Sequence, residues 1–121
     1  MFIFFLVIVA IIPIIMIVVA LIWKKNPPKQ INSAYGYRTT RSLKSQETWD
    51  FAHKYMGKLL LYIGLIQFIP SLIPIIILRN EDNNILGISM IIIIATQIAL
   101  LWIPIIPTEM ALKKRFESSE G

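Results

Sequence analysis

Residues 2–23 read FIFFLVIVAIIPIIMIVVALIW and contain no Lys, Arg, Asp, Glu or His. A helix rises about 1.5 Å per residue, so this stretch is as long as a bilayer's hydrocarbon core is thick, which requires roughly 20 apolar residues. Two further stretches, residues 59–78 and 85–106, also lack these five residue types. The sequence therefore predicts an all-α membrane protein with three transmembrane helices.

The hydrophilic segments are too short to form a separate soluble domain. The longest of them, residues 24–58, has 35 residues, and the chain has no cysteine for disulfides or thiolate metal sites. We therefore predict a single membrane domain over residues 1–121. It consists of the three spans, an ordered loop at residues 24–58 between the first two, and a tail at residues 107–121.

Positive charge is distributed unequally among the segments outside the membrane. Lys and Arg number eight in residues 24–58, one between the second and third spans, three in the tail and none before the first span. Short loops rich in Lys and Arg stay on the cytoplasmic side. The sequence thus predicts a multi-pass protein of the cell membrane, with the N-terminus outside and both the first loop and the C-terminus in the cytoplasm.

A cleaved signal peptide is the alternative interpretation of residues 1–23. Signal peptides begin with a basic region, carry a shorter apolar stretch and end at a site of small residues. This segment begins with Met1 and Phe2, and Lys24 and Lys25 follow it directly. A retained membrane anchor is therefore the preferred interpretation.

A helix is expected to begin at Ser45 and to run unbroken from Gln46 into the second span. The Ser45 hydroxyl can cap the exposed amides, and Glu47 places negative charge in the first turn. On this helix, polar and small residues fall within an arc of roughly 80° at about 100° per residue. They are Trp49, His53, Gly57, Gly64, Gln67 and Ser71.

Small and weakly polar residues of this kind pack transmembrane helices together. The third span offers a matching set in Ser89, Ala95, Thr96 and Gln97. We therefore predict helix-packing roles for Gly64, Gln67, Ser71, Thr96 and Gln97, and dimerisation through the Gly64 face stays open. The spans contain no charged residue, which argues against a pump or proton-coupled transporter.

The chemistry of an enzyme or a metal site is weakly represented. His53 is the only histidine, so a multi-histidine metal site is excluded, and we expect no cofactor. Asp50 could orient His53, but no nucleophile accompanies the pair. A small membrane-surface enzyme or lipid-modifying factor that uses Arg38, Trp49 and His53 is the alternative function.

A basic collar is expected at the inner membrane surface. It comprises Arg38, Arg41, Lys44, Lys54 and Lys58. Such residues attract anionic lipid, and they could equally form a site for an anion or a partner protein. Direct nucleic-acid binding is not expected, because the collar lies against the bilayer and no nucleic-acid recognition motif is present.

The first loop resembles the signature of the SdpI family, small bacterial membrane proteins named for immunity to a secreted sporulation-delay toxin. In this signature an Asn precedes Gly-x-Arg-Thr, a Ser or Thr, a Trp, Ala followed by His or Asn, and a Gly. The matching residues are Asn32, Gly36, Arg38, Thr39, Ser42, Trp49, Ala52, His53 and Gly57. The tail segment 106–114 is also similar, and the chain resembles the C-terminal half of a duplicated architecture.

The resemblance implies a non-enzymatic membrane protein that provides immunity to a membrane-active peptide toxin or signals by binding a partner. A peptide toxin and a cytoplasmic regulatory protein are the implied partners. The motif suits a structured loop, because Gly36 can supply a positive φ, Thr39 and Ser42 can bond locally, and Arg38 can bind carbonyls, phosphate or carboxylate. An accessory subunit of a membrane complex is a further alternative.

Overall fold

The computed structural model describes residues 1–117, and in that range it contains four helices and no strand. They are α1 (Phe2–Lys25), α2 (Gln46–Ile77), α3 (Asn83–Trp102) and α4 (Ile105–Phe116). Three segments of the described chain are long and apolar enough to cross a membrane, namely α1, α2 and the combined α3–α4 segment Asn83–Phe116. The all-α membrane fold with three spans is confirmed.

α1 and α2 form the most extensive helix pair, and they run antiparallel. Gly57 lies against Trp23, and Gly64 lies against Met16, Ile17 and the main chain of Pro13. A Cβ at Gly64 would come within 2.9 Å of Ile17, so only glycine permits this close approach of the helices. Because α1 covers the Gly64 face, that face is not available to a second copy of the chain.

α3 contacts both other spans but buries little of its own surface. Leu86 and Gln97 are its buried residues. The Gln97 side-chain nitrogen donates to the Val9 carbonyl at 2.7 Å and to the Ser71 hydroxyl at 2.9 Å. On α2, the buried Gln67 donates to the Met16 sulfur at 2.9 Å. Polar groups therefore join all three spans inside the apolar segment.

The helix-packing role predicted for Thr96 needs correction. Thr96 is exposed, and its hydroxyl donates to the Ile92 carbonyl one turn earlier at 3.0 Å. The Thr96 hydroxyl therefore has its hydrogen-bond partner within its own helix, and the side chain faces outward. Ala95 is also exposed, and Ser89 is half-buried.

The starts of α1 and α2 agree with the prediction, whereas α1 ends at Lys25 instead of residue 23 and α2 ends at Ile77 instead of residue 78. Ser45 caps α2 as expected, accepting from the Thr48 amide. α3 begins at Asn83, two residues before the predicted start at 85, because the Asp82 side chain caps the Ile85 amide at 3.0 Å.

The segment predicted as a tail continues as a helix through most of its length. Pro104 marks the break after α3, and Pro107 lies in the first turn of α4, where a helix has no need of its missing N–H. The helix then packs back against α2. Residues 118–121 of the predicted tail lie outside the described residues.

The core consists of two clusters of buried side chains, one toward each end of the bundle. The first joins α1, α2, the loop and α4, and includes Met16, Trp23, Tyr37, Met56 and Leu112. The second consists of Phe5, Val9, Ile75 and Leu86. The first cluster ties the loop to the helices, so the loop is part of the folded core.

Candidate functional site: the loop between α1 and α2

Asn32 organises the first turn of the loop. Its side-chain oxygen accepts from the Ala34 amide at 2.9 Å and from the Tyr35 amide at 2.7 Å. Its side-chain nitrogen donates to the Gln30 carbonyl at 3.1 Å. An asparagine that binds its own backbone in this way fixes a tight turn without help from other segments.

Gly36 and His53 meet at the centre of the loop. Gly36 has φ +119°, the positive value that the sequence predicts, and a Cβ there would lie 2.6 Å from the His53 Nε2 atom. Glycine is therefore required on both conformational and steric grounds. The contact places the loop directly on the first turns of α2.

The His53 ring is buried and uses both nitrogens. Nε2 accepts from the Tyr37 amide at 2.8 Å, and Nδ1 lies 2.8 Å from the Trp49 carbonyl. These two bonds assign the proton to Nδ1 and require a neutral ring. The ring also packs between Trp23 and Trp49, at centroid distances of 4.8 and 4.3 Å. His53 thus anchors the loop to α2.

Trp49 anchors an earlier part of the loop. Its indole nitrogen donates to the Pro28 carbonyl at 2.6 Å, and the residue is fully buried. The ring also packs against Gly36, where a Cβ would lie 3.0 Å from it. Trp49 therefore has an internal structural contact and does not anchor the protein at the lipid interface.

Ser42 and Thr39 close the second half of the loop. The Ser42 hydroxyl accepts from the Thr39 amide at 2.8 Å, and it is within donating distance of the Tyr37 carbonyl at 2.9 Å. The Thr39 hydroxyl accepts from the Ser42 amide at 3.2 Å. The Ser42 carbonyl accepts from the Thr48 hydroxyl at 3.0 Å, which links this turn to the start of α2.

Glu109 and Tyr37 form a contact that the sequence pattern does not predict. The Tyr37 hydroxyl donates to the Glu109 carboxylate at 2.7 Å, and the Thr39 hydroxyl donates to the same oxygen at 3.0 Å. Burial, followed by the Glu109 hydrogen bond and charge, raises the pKa of Tyr37 above its ordinary value. The similarity of the tail segment to family C-termini marked Glu109 but gave no partner for it.

The predicted basic collar separates into two groups. Arg41 lies 3.6 Å from Glu109 and 2.9 Å from Glu117, and Lys44 lies 3.2 Å from Glu117. The hydrogen bonds from Lys44 and then Arg41 lower the pKa of Glu117 below its ordinary value. The exposed Arg38 donates through Nε to the Asn32 carbonyl at 2.9 Å.

Lys54 and Lys58 form the second group. They are exposed on α2, and within residues 1–117 neither makes an ion pair. Acidic residues of the C-terminal segment therefore neutralise two of the five collar residues, and within residues 1–117 the other three make no ion pair.

Asp50 does not orient His53. Its carboxylate is exposed and accepts from the Gln46 side chain at 2.8 Å, whereas His53 bonds to Tyr37 and Trp49. No ring nitrogen of His53 is left over to act as a base. Among residues 1–117, no cluster of three or more His, Cys, Asp and Glu side chains could hold a metal ion.

Comparison with known proteins agrees with the motif. The model of the SdpI/YfhL protein family matches residues 29–108, which include residues 29–45 of the loop, α2 and α3. The chain is 44% identical over 52 residues to a Bacillus subtilis (strain 168) protein described as "Uncharacterized protein YfhL". That alignment covers 43% of this chain and 47% of the relative, so the matched part spans about half of the relative's length. No solved structure matches the chain. The protein is thus a member of the SdpI/YfhL family.

Proposed function

We propose that this protein is a non-enzymatic membrane protein that confers immunity to a membrane-active peptide toxin by binding a peptide or protein partner. Family membership supports a role of this class, since the resemblance described above implies toxin immunity. The loop between α1 and α2 is the proposed binding element, because it contains the family motif and is folded against both helices.

The observation that carries this proposal is that buried motif residues stabilise the loop while other loop residues stay exposed. Gly36, Ser42, Trp49 and His53 hold the loop together from inside. Around the Asn32 turn the loop instead exposes Ile31, Tyr35 and Arg38, which we call the loop patch.

The loop patch combines the contacts that a hydrophobic peptide with a carboxylate would need. Ile31 and Tyr35 are 39% and 49% exposed and offer apolar and aromatic surface. A guanidinium has five N–H donors, so the Arg38 bond to Asn32 leaves donors for a carboxylate. Exposed arginine and tyrosine are residue types enriched at binding hot spots.

The orientation of the chain is part of the proposal. The distribution of Lys and Arg favours a cytoplasmic position for the loop patch, at the inner surface of the cell membrane. A partner would therefore be a toxin segment that reaches the inner leaflet or a cytoplasmic regulatory protein. The engaged ring of His53 supports a binding role in preference to a catalytic one.

A tolerance assay tests the proposal. The gene is expressed in a strain sensitive to sporulation-delay toxin, and survival is measured against toxin concentration. We expect wild-type protein to raise tolerance and Arg38→Ala to abolish most of the gain. Arg79→Ala is the matched control, because Arg79 is an exposed arginine in the opposite loop.

Membrane levels of each variant are compared by immunoblot, so that loss of protein is not mistaken for loss of binding. Unchanged tolerance with wild-type protein, for this toxin and for other membrane-active peptides, would contradict the proposal. Equal losses with Arg38→Ala and Arg79→Ala would contradict the role of the loop patch.

A further inference from the structure

A cavity of about 590 Å³ opens between the end of α1 and the first half of α2. Its walls are apolar at one end and basic at the other. Ala20, Trp23 and Leu61 line it on the side of the apolar spans, and Lys24, Lys54 and Lys58 line it on the side of the loop. The cavity therefore spans the boundary between hydrocarbon and headgroups.

The three lysines form a cationic rim drawn from two helices. Lys24 lies in the last turn of α1, and Lys54 and Lys58 lie one turn apart on α2. All three are exposed, and none forms an ion pair within residues 1–117. Like charges at i and i+4 on a helix repel each other, so an anion at this rim would relieve a repulsion.

An amphiphile with an anionic headgroup and an apolar chain complements a cavity that has apolar walls and a cationic rim. We propose that this cavity binds a single anionic phospholipid, with its phosphate among Lys24, Lys54 and Lys58 and its first acyl methylenes along Ala20 and Leu61. A phosphate close to several lysine ammonium groups is favoured because the site lies partly out of water. The inference is independent of toxin immunity.

Asp50 suggests which headgroup the cavity accepts. Asp50 lines the same cavity and lies one turn before Lys54 on α2, on the side of the loop. A carboxylate accepts hydrogen bonds and cannot donate them when ionised. A glycerol headgroup supplies hydroxyl donors to it, so phosphatidylglycerol fits the rim better than an anion without donors.

Native mass spectrometry of the full chain in detergent tests the site. The probes are phosphatidylglycerol and phosphatidylcholine with identical acyl chains, added in equal amounts. We expect one phosphatidylglycerol to bind in preference to phosphatidylcholine. The cavity variant Lys24→Gln/Lys54→Gln/Lys58→Gln should weaken phosphatidylglycerol binding by roughly tenfold or more.

The matched control variant carries the same change in net charge outside the cavity. It is Lys29→Gln/Lys113→Gln/Lys114→Gln, and all three of these lysines are exposed. We expect it to bind phosphatidylglycerol within roughly twofold of wild type, since it leaves the rim intact. Equal weakening in both variants would overturn the site in favour of general attraction to the basic surface.

A second measurement applies if the cavity variant does not fold, as judged by circular dichroism. In a Trp102→Phe background, which removes the exposed lipid-facing indole, bilayers contain phospholipid brominated near the headgroup. The remaining emission comes from Trp23 in the cavity wall and from the fully buried Trp49. Brominated phosphatidylglycerol should quench it more strongly than brominated phosphatidylcholine at the same fraction. Equal quenching by the two lipids would overturn the proposal.

Discussion

The side-chain nitrogen of Gln97 donates a 2.7 Å hydrogen bond to the main-chain carbonyl of Val9. In a regular helix that carbonyl accepts from the residue four positions later, which here is Pro13, and proline has no N–H. α3 therefore supplies the donor that α1 lacks, in a segment where lipid cannot supply one. The bond fixes the position of α3 along α1.

Replacing Gln97 with Leu should destabilise the bundle by about 0.6–2 kcal/mol, the range measured for hydrogen bonds between membrane helices. The reason is that the Val9 carbonyl and the Ser71 hydroxyl both lose a donor. Unfolding in mixed micelles with increasing denaturing detergent measures the change. Thr96→Val, at the exposed neighbouring position, should leave stability unchanged.

A double-mutant cycle tests the cause of the Gln97 effect. Pro13→Ala restores an N–H in α1 that can reach the Val9 carbonyl. Gln97→Leu should therefore cost less in the Pro13→Ala background than in wild type. Strictly additive effects of the two substitutions would contradict the assignment.

Two glycines of α2 should respond differently to the same substitution. A Cβ at Gly64 would lie 2.9 Å from Ile17, whereas a Cβ at Gly57 would lie 3.5 Å from its nearest neighbour, Trp23. Gly64→Ala should thus destabilise the α1–α2 pair by about 1–3 kcal/mol, as overpacking does. Gly57→Ala should be neutral or slightly stabilising, and the same detergent titration compares them. Equal losses of stability in the two variants would contradict the close packing of α1 against Gly64.

The Gly36 turn makes a prediction about one backbone amide. Gly36→Ala places a Cβ against the His53 ring at a positive φ, a strain of about 1–3 kcal/mol. The Tyr37 amide, which donates to His53, should then exchange its hydrogen roughly tenfold faster or more. Exchange is followed by NMR in micelles. Unchanged exchange at Tyr37, with the variant folded, would show that the amide is not held by this contact.

Tyr37 should ionise at a higher pH than an ordinary tyrosine. Burial, assisted by the Glu109 hydrogen bond and charge, raises the pKa of Tyr37 above the ordinary 10.0. The contribution of this group to stability is therefore fully present below pH 10.0 and is lost as the pH rises through the higher folded value. Absorbance titration near the phenolate band, wild type minus Tyr37→Phe, isolates this residue.

Glu109→Gln should lower the pKa of Tyr37 part of the way toward its ordinary value, because burial remains while the negative charge is removed. Glu81→Gln, which alters an exposed carboxylate between α2 and α3, is the control and should leave the pKa of Tyr37 unchanged. If Tyr37 ionises at the ordinary pKa of 10.0, the contact between the loop and α4 is not formed in solution.

The spans and the start of α2 were predictable from sequence because local physics determines them. An apolar run of bilayer length has few other stable conformations, and Ser45 caps a helix through atoms within one turn. The buried face of α2 also followed from residue spacing. Thr96 shows where spacing misleads, since a threonine can satisfy its hydroxyl on its own helix and face outward.

The contacts that hold the loop were not predictable in the same way. Tyr37 and Glu109 are 72 residues apart, and Trp49 donates to Pro28 across 21 residues. Neither pair has a periodicity that would identify the partners, because a carboxylate or a carbonyl can accept from many donors. The packing of α4 was missed for a related reason, since a short charged helix has little apolar signal until α2 is beside it.

Cysteine labelling of intact cells tests the central claim most directly, namely three membrane crossings with the loop patch in the cytoplasm. The chain has no cysteine, so Ser33→Cys in the loop and Asn80→Cys between α2 and α3 each report one side of the membrane. A membrane-impermeant maleimide should label Asn80→Cys in intact cells and Ser33→Cys only after the membrane is permeabilised. Labelling of Ser33→Cys in intact cells would contradict the account.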